Sequence, residues 1–157
     1  MILSHVDKKG NAKIVDISNK KISQRLAIAS GKITLNDEII NQIYSKNNKK
    51  GDIFTVAKIA GIMAAKKTSE LIPLCHPIKI DDIQIEFSIN KSKKIITAEA
   101  KVKCHEKTGV EMEALTAISV SLLTIYDMCK AITHKMQIFD IKLTEKRGGK
   151  SDLIKSR

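Results

Sequence analysis

Asp127 and Lys130 stand three positions apart near the end of a long apolar run, a carboxylate and an amine on adjoining parts of one helical face. Such a pair is either a structural ion pair or catalytic machinery in a cleft, with the lysine pKa lowered by burial or nearby cations enough for proton transfer. At the start of the same run Glu111 and Glu113 flank Met112. They are first-turn acids favoured by the helix dipole, or carboxylates with separate tasks, since they point in different directions. The stretch LIPLCHPIKI, residues 71–80, holds both prolines of the chain, with Cys75 and His76 between them. Proline fixes its own φ at about −65° and pushes the preceding residue toward extended geometry, so the segment is stiff and non-helical. That stiffness suits a packed chain crossing, and it also suits an imidazole that must point at one place.

Two further motifs concern phosphate. KKGD, residues 49–52, puts two lysines before a helix whose expected N-cap is Asp52, which reads as an anion site or as a solvated loop. RGGKS near the end has the look of half a P-loop. The glycine it needs upstream is Thr144 and no strand-to-helix context follows, so a Walker motif is rejected. The glycine pair with Lys146, Arg147 and Lys150 can still fold over a phosphate group. Cys75-His76 and Cys104-His105 raise the question of a metal, but their spacing matches no zinc pattern and neighbours on a strand point to opposite faces; no metal is expected. His5 and His134 read as surface residues.

The 157 residues fit one domain, 1–157, with a flexible basic tail from about 146. A net charge of +11 implies attraction to polyanions. Nucleic acid is the rival partner, but with no Trp and only 3% aromatic residues there is little for base stacking. No signal peptide is seen, and the longest weakly polar stretch, 114–126, falls short of the ~20 residues that span a bilayer. Three cysteines without a CxxC pair fit reduced thiols in a cytosol. Cytoplasmic location is therefore expected.

These residues need elements to position them. Residues 13–18 can be extended, and so can 21–32, although the second reads ambiguously because RLAIAS alternates only in part. In 34–45, Leu35, Ile39, Ile40 and Ile43 share a helical face, with Thr34 and Asp37 spaced as a capping pair. A second helix from Asp52 turns Ile53, Val56, Ala57, Ala60 and Ala64 inward. Two strands follow, with apolar residues odd-numbered in the first and even-numbered in the second. If 90–93 form the turn, paired positions sum to 183, both apolar sets share a face, Lys79 lies opposite Cys104, and His76 comes near Lys107. Residues 108–132 read as a helix apolar on nearly every side, hence buried, and 136–146 as a last strand. The order predicts an α+β fold with an antiparallel sheet covered by helices.

KKGD, LIPLCHP, KTGVEMEALTA and TIYDMCKA together closely resemble the cyclic pyranopterin monophosphate synthases, the MoaC family of molybdenum cofactor biosynthesis, over nearly the whole chain. The resemblance implies a ferredoxin-like subunit and a homohexamer, a trimer of dimers with active sites at subunit interfaces. It implies a lyase that converts a small molecule, 3',8-cyclo-7,8-dihydroguanosine 5'-triphosphate, to cyclic pyranopterin monophosphate with release of pyrophosphate. Position by position it makes Asp127 the catalytic aspartate and Lys130 and Lys50 its paired lysines. Leu74, Cys75, His76, Met112 and Glu113 then contact substrate, and Glu111 and Lys146 are further site members. No cofactor is required, although Mg2+ is compatible with the pyrophosphate; neither nucleic acid nor a membrane is expected as partner. Glu106 and Arg147 depart from the family pattern, which commonly has glycine and serine there.

Overall fold

The computed structural model describes residues 4–44 and 52–154. Its longest pair of strands is dictated by alternation. In β1 (Ser23–Thr34) the odd positions Ala27, Ala29, Gly31 and Ile33 are buried, and in β3 (Ile95–Glu106) the even positions from Ile96 to Cys104 are. The two pair antiparallel through the centre of a four-stranded sheet, flanked by β2 (Asp82–Asn90) and β4 (Ile138–Arg147) in the order β2-β3-β1-β4. Between β1 and β2 lie the helices α1 (Asp37–Tyr44), α2 (Ile53–Lys66) and the single turn α3 (Thr68–Leu71), and between β3 and β4 lies α4 (Glu111–Cys129). This is the expected α+β fold, and its strand order is that of a ferredoxin-like sheet.

Helix α4 crosses β1, β3 and β4, and α2 lies along α4 and over β2. Small residues set that spacing. Ala57, Gly61, Ala64 and Ala65 of α2 are buried, as are Ala114, Ala117 and Ser121 of α4, whose hydroxyl donates to the Ala57 carbonyl at 3.0 Å. By length and mean hydropathy α4 would pass for a membrane span. Its buried residues instead belong to the core shared with the sheet, among them Ile118, Leu122 and Ile125.

Five expectations change in the fold. Residues 13–18 form no strand: the N-terminal segment is held by turns in which Asp7 and Asp16 accept backbone N–H bonds, with one bridge between Val6 and Ala12. The cap of α1 is Asn36, whose Oδ1 accepts from Ile39 N at 2.9 Å, because Thr34 is still in β1 and its hydroxyl accepts from Gln137 N. Val56 points outward, its inward place taken by Gly61 and Ala65. The β2/β3 register sums to 185 rather than 183, as in Ile85↔Ala100. Asn90 stays in the strand because its Oδ1 accepts from Lys93 N and Ser92 Oγ, and Lys94 closes the turn at φ +54°. A slip of two preserves side-chain parity, so both apolar sets still face the core; Lys79, however, no longer faces Cys104. Finally, α4 is covered on one side only, with Met112 and Leu123 exposed.

A Cβ at Gly61 would come within 2.7 Å of Ile85 Cδ1 and 2.9 Å of the Ala117 carbonyl, and would also clash with Ser121 Oγ. Backbone cannot yield as a flexible side chain does. Gly61→Ala is expected to destabilise the protein by about 1–3 kcal/mol, read as a lower midpoint in urea unfolding with unchanged slope.

Candidate active site

Arg25 occupies an odd position in β1, so the alternation that buries Ala27 and Ala29 puts its side chain on the helix face at the sheet's end. Its guanidinium donates through Nε to the Glu106 carbonyl at 3.2 Å and through one Nη to the Lys107 carbonyl at 3.3 Å; the other Nη donates to the Gly148 carbonyl. One side chain thus ties β1 to the β3–α4 connection and to the turn after β4. That turn closes on itself: Lys146 and Leu153 exchange backbone hydrogen bonds, and Gly148 N donates to Asp152 Oδ1. Gly148 sits at φ +84°, and a Cβ there would strike the Gln24 carbonyl.

These connections enclose a pocket of about 470 Å³ lined by Lys20, Lys21, Arg25, Lys107, Lys146, Arg147 and Lys150, against a single acid, Glu111. Backbone from Gly148 and Gly149 completes it. Fixed cations around a cavity of this size attract a multiply charged anion and hold it without reorganising. Lys107 is itself anchored, donating to the Ser18 carbonyl at 2.8 Å.

A second pocket of about 340 Å³ adjoins the first across Thr108, Gly109, Glu111 and Lys146, which line both. Its other walls are Leu74, Cys75, His76 and Ile78 from the proline-fenced loop, Met112 and Glu113 from α4, Leu143, and His5 at an exposed rim. Ile72 is extended (φ −110°, ψ 103°), as the following proline requires, and a turn bond from Cys75 N to the Ile72 carbonyl sets the loop's course. Lys146 pairs in register with Ala27 and so emerges on the helix face, where its Nζ lies 3.6 Å from Glu111 Oε1.

Glu113 is the unusual member. It is 3% exposed, and its Oε2 has no hydrogen-bond partner. Burial, reinforced by the charge of Glu111, pushes its carboxyl up to about 7 even though its own backbone N–H favours the charged form. Burial, with Glu113 as a further cause, also pushes the Cys75 thiol up. Cys75 is therefore no ready nucleophile.

Seven of the ten residues carried over from the resemblance fall into place here. Leu74, Cys75, His76, Glu111, Met112, Glu113 and Lys146 are brought together around the second pocket. Lys50 lies outside the described residues, although Asp52 beside it caps α2 as expected, accepting from Phe54 N at 3.0 Å. Asp127 and Lys130 are not brought to the pocket. From Glu111 to Asp127 the helix rises about 24 Å at roughly 1.5 Å per residue. They form an ion pair of 2.6 Å with side chains more than half exposed, so the premise of burial fails. The Lys130 pKa is raised, by its hydrogen bond to and attraction toward Asp127, not lowered as a buried amine's would be. The sequence reading passed over Arg25, Lys20, Lys21 and Lys107 as site residues. For Arg25 a signal was present: a charge at an inward position of an otherwise apolar strand.

Among the described residues no three His, Cys, Asp or Glu side chains gather as a metal cluster. The MoaC family model matches residues 14–149. The chain belongs to the MoaC family. It is 54% identical over 148 residues to the cyclic pyranopterin monophosphate synthase of Clostridium botulinum (strain Alaska E43 / Type E3), covering 94% of this chain and 93% of that protein. To the cyclic pyranopterin monophosphate synthase of Parvibaculum lavamentivorans it is 47% identical over 155 residues, covering 99% and 97%. The match thus takes in both pockets of this MoaC chain and both ends of α4.

The folded state binds a proton at Glu113 that the unfolded chain releases between pH 4.5 and about 7. Stability therefore falls as pH rises through that interval and the loss is complete above it. Glu113→Gln, which cannot ionise, is expected to gain up to roughly 3 kcal/mol over the parent between pH 5 and pH 8, measured by urea unfolding at both pH values. An equal difference at both would mean that Glu113 is ionised throughout.

Proposed function

We propose that this chain is a cyclic pyranopterin monophosphate synthase acting in molybdenum cofactor biosynthesis. It takes 3',8-cyclo-7,8-dihydroguanosine 5'-triphosphate, rearranges the purine-derived ring and releases pyrophosphate. The observation that carries the reading is the adjoining pair of pockets: one lined by seven cations, the other by an imidazole and a buried carboxyl. A nucleoside triphosphate has the same two halves. The basic pocket takes the phosphates and neutralises the charge that builds on departing pyrophosphate. The second pocket takes the ring, whose rearrangement needs proton donors and acceptors at fixed positions.

Asp127, Lys130 and Lys50 belong to the same chemistry through assembly. We assign them to a site shared between subunits of a homohexamer, a trimer of dimers, in which the far end of α4 in one subunit completes the pocket of another. The exposed Leu123 and Met112 on α4 and Val56, Ile59 and Met63 on α2 support this, since they form apolar helix faces that the subunit itself leaves uncovered. In that assembly Asp127 and Lys130 exchange protons with the substrate and the lysines stabilise the phosphates. The site requires no resident cofactor, and Mg2+ is an optional escort for the pyrophosphate. The enzyme works in the cytoplasm, without a nucleic-acid or membrane partner.

Pyrophosphate release from the cyclic dihydroguanosine triphosphate tests the reading. The parent is expected to turn over, and Asp127→Asn to lose at least ~100-fold in kcat with an unchanged Tm, because an exposed ion pair contributes little to stability. A folded parent that releases no pyrophosphate would sink the assignment. Co-refolding Asp127→Asn subunits with His76→Ala subunits is expected to restore turnover that neither has alone; no restoration would remove the shared site.

A further inference from the structure

We propose that Glu113 enters the reaction as a neutral carboxyl and is the proton donor to the ring of the bound substrate, an inference that rests on the enzymatic reading above. Glu113 lines the ring pocket, and its Oε2 has no hydrogen-bond partner and almost no solvent, the arrangement of a group waiting for a ligand atom. An ionised carboxylate buried in that position without a hydrogen-bond partner is costly. On its own helix Glu111 adds a like charge. From β4 comes Lys146, which is engaged by Glu111. The loop contributes Cys75 and His76, β3 contributes Cys104, and the N-terminal segment contributes His5 at the rim.

The thiols here are less suited to the task. Burial pushes the Cys104 thiol up to about 11 and the Cys75 thiol upward as well, so both hold their protons at neutral pH. A carboxyl near 7 both holds a proton and gives it up at working pH, the condition for an efficient general acid. In the step, the Glu113 O–H bond breaks as an N–H or O–H bond forms on a ring heteroatom. No electrons are gained or lost, and the carboxylate recovers its proton from water after product leaves.

The test begins without substrate. In protein carrying 13C-labelled glutamate carboxyls, one resonance is expected to titrate near pH 7 and to vanish in Glu113→Gln. With the cyclic dihydroguanosine triphosphate, kcat/KM of the parent is expected to fall along an alkaline limb at the same pH. Glu113→Gln should lower kcat about 100-fold or more with KM within a few-fold, and Glu113→Asp should recover part of it. Glu111→Gln removes the like charge but leaves the acid, and should move the limb to lower pH, which a merely structural role for Glu113 would not do. Titration in the ordinary carboxylate range, full kcat in Glu113→Gln or a limb unmoved in Glu111→Gln each overturns the proposal. A carboxyl titrating near 7 in a folded parent without turnover would overturn the donor role together with the reaction assignment, while leaving the neutral carboxyl in place.

Discussion

The close approach of α4 to the central strand β1 governs the rest of this structure. Residues Ala27, Ala29 and Gly31 leave the middle of β1 nearly flat, and a Cβ at Gly31 would collide with Leu122 and Ile118 of α4. With α4 seated there, Ala114 and Ala117 are fully buried and the helix's first turn stops at the end of the sheet. That end is where Arg25 and Lys146 emerge from β1 and β4. Pushed outward by even one side chain's thickness, α4 would separate Glu111 from Lys146 and open the wall between the two pockets. The dense packing of small residues is thus what gives the polar site its dimensions.

Opposite electrostatic conditions then coexist within one wall's thickness. The basic pocket is wet, open and crowded with cations that favour an anion. In the second pocket, burial pushes the Glu113 carboxyl and the Cys75 thiol up. Glu111 sits at the border, one oxygen toward Lys146, and its charge acts on Glu113 from two positions away.

The two ends of α4 present a contrast of another kind. At its start, polar groups converge from four parts of the chain; at its finish, Asp127 and Lys130 pair with each other in the open. An exposed pair of this kind has little worth to the subunit alone. In the proposed assembly it gains a role, and the apolar faces left outward on α2 and α4 gain cover.

Whatever depends on local pattern could be read directly from the residues. Alternation specified β2 and β3 and the shared face of the hairpin, though β1 only in part, and it survived a wrong turn position because parity is insensitive to a slip of two. The prolines determined that residues 74–76 are held in extended and turn geometry, and the motif residues determined the family. Tertiary structure decided which groups meet. It brought Arg25 and Lys107 to the basic pocket through carbonyls far apart in sequence, stripped water from Glu113 but not from Asp127, and chose Asn36 over Thr34 as a cap because the sheet had already claimed Thr34. Those outcomes depend on long-range packing and solvent exclusion, which no spacing of residue types contains.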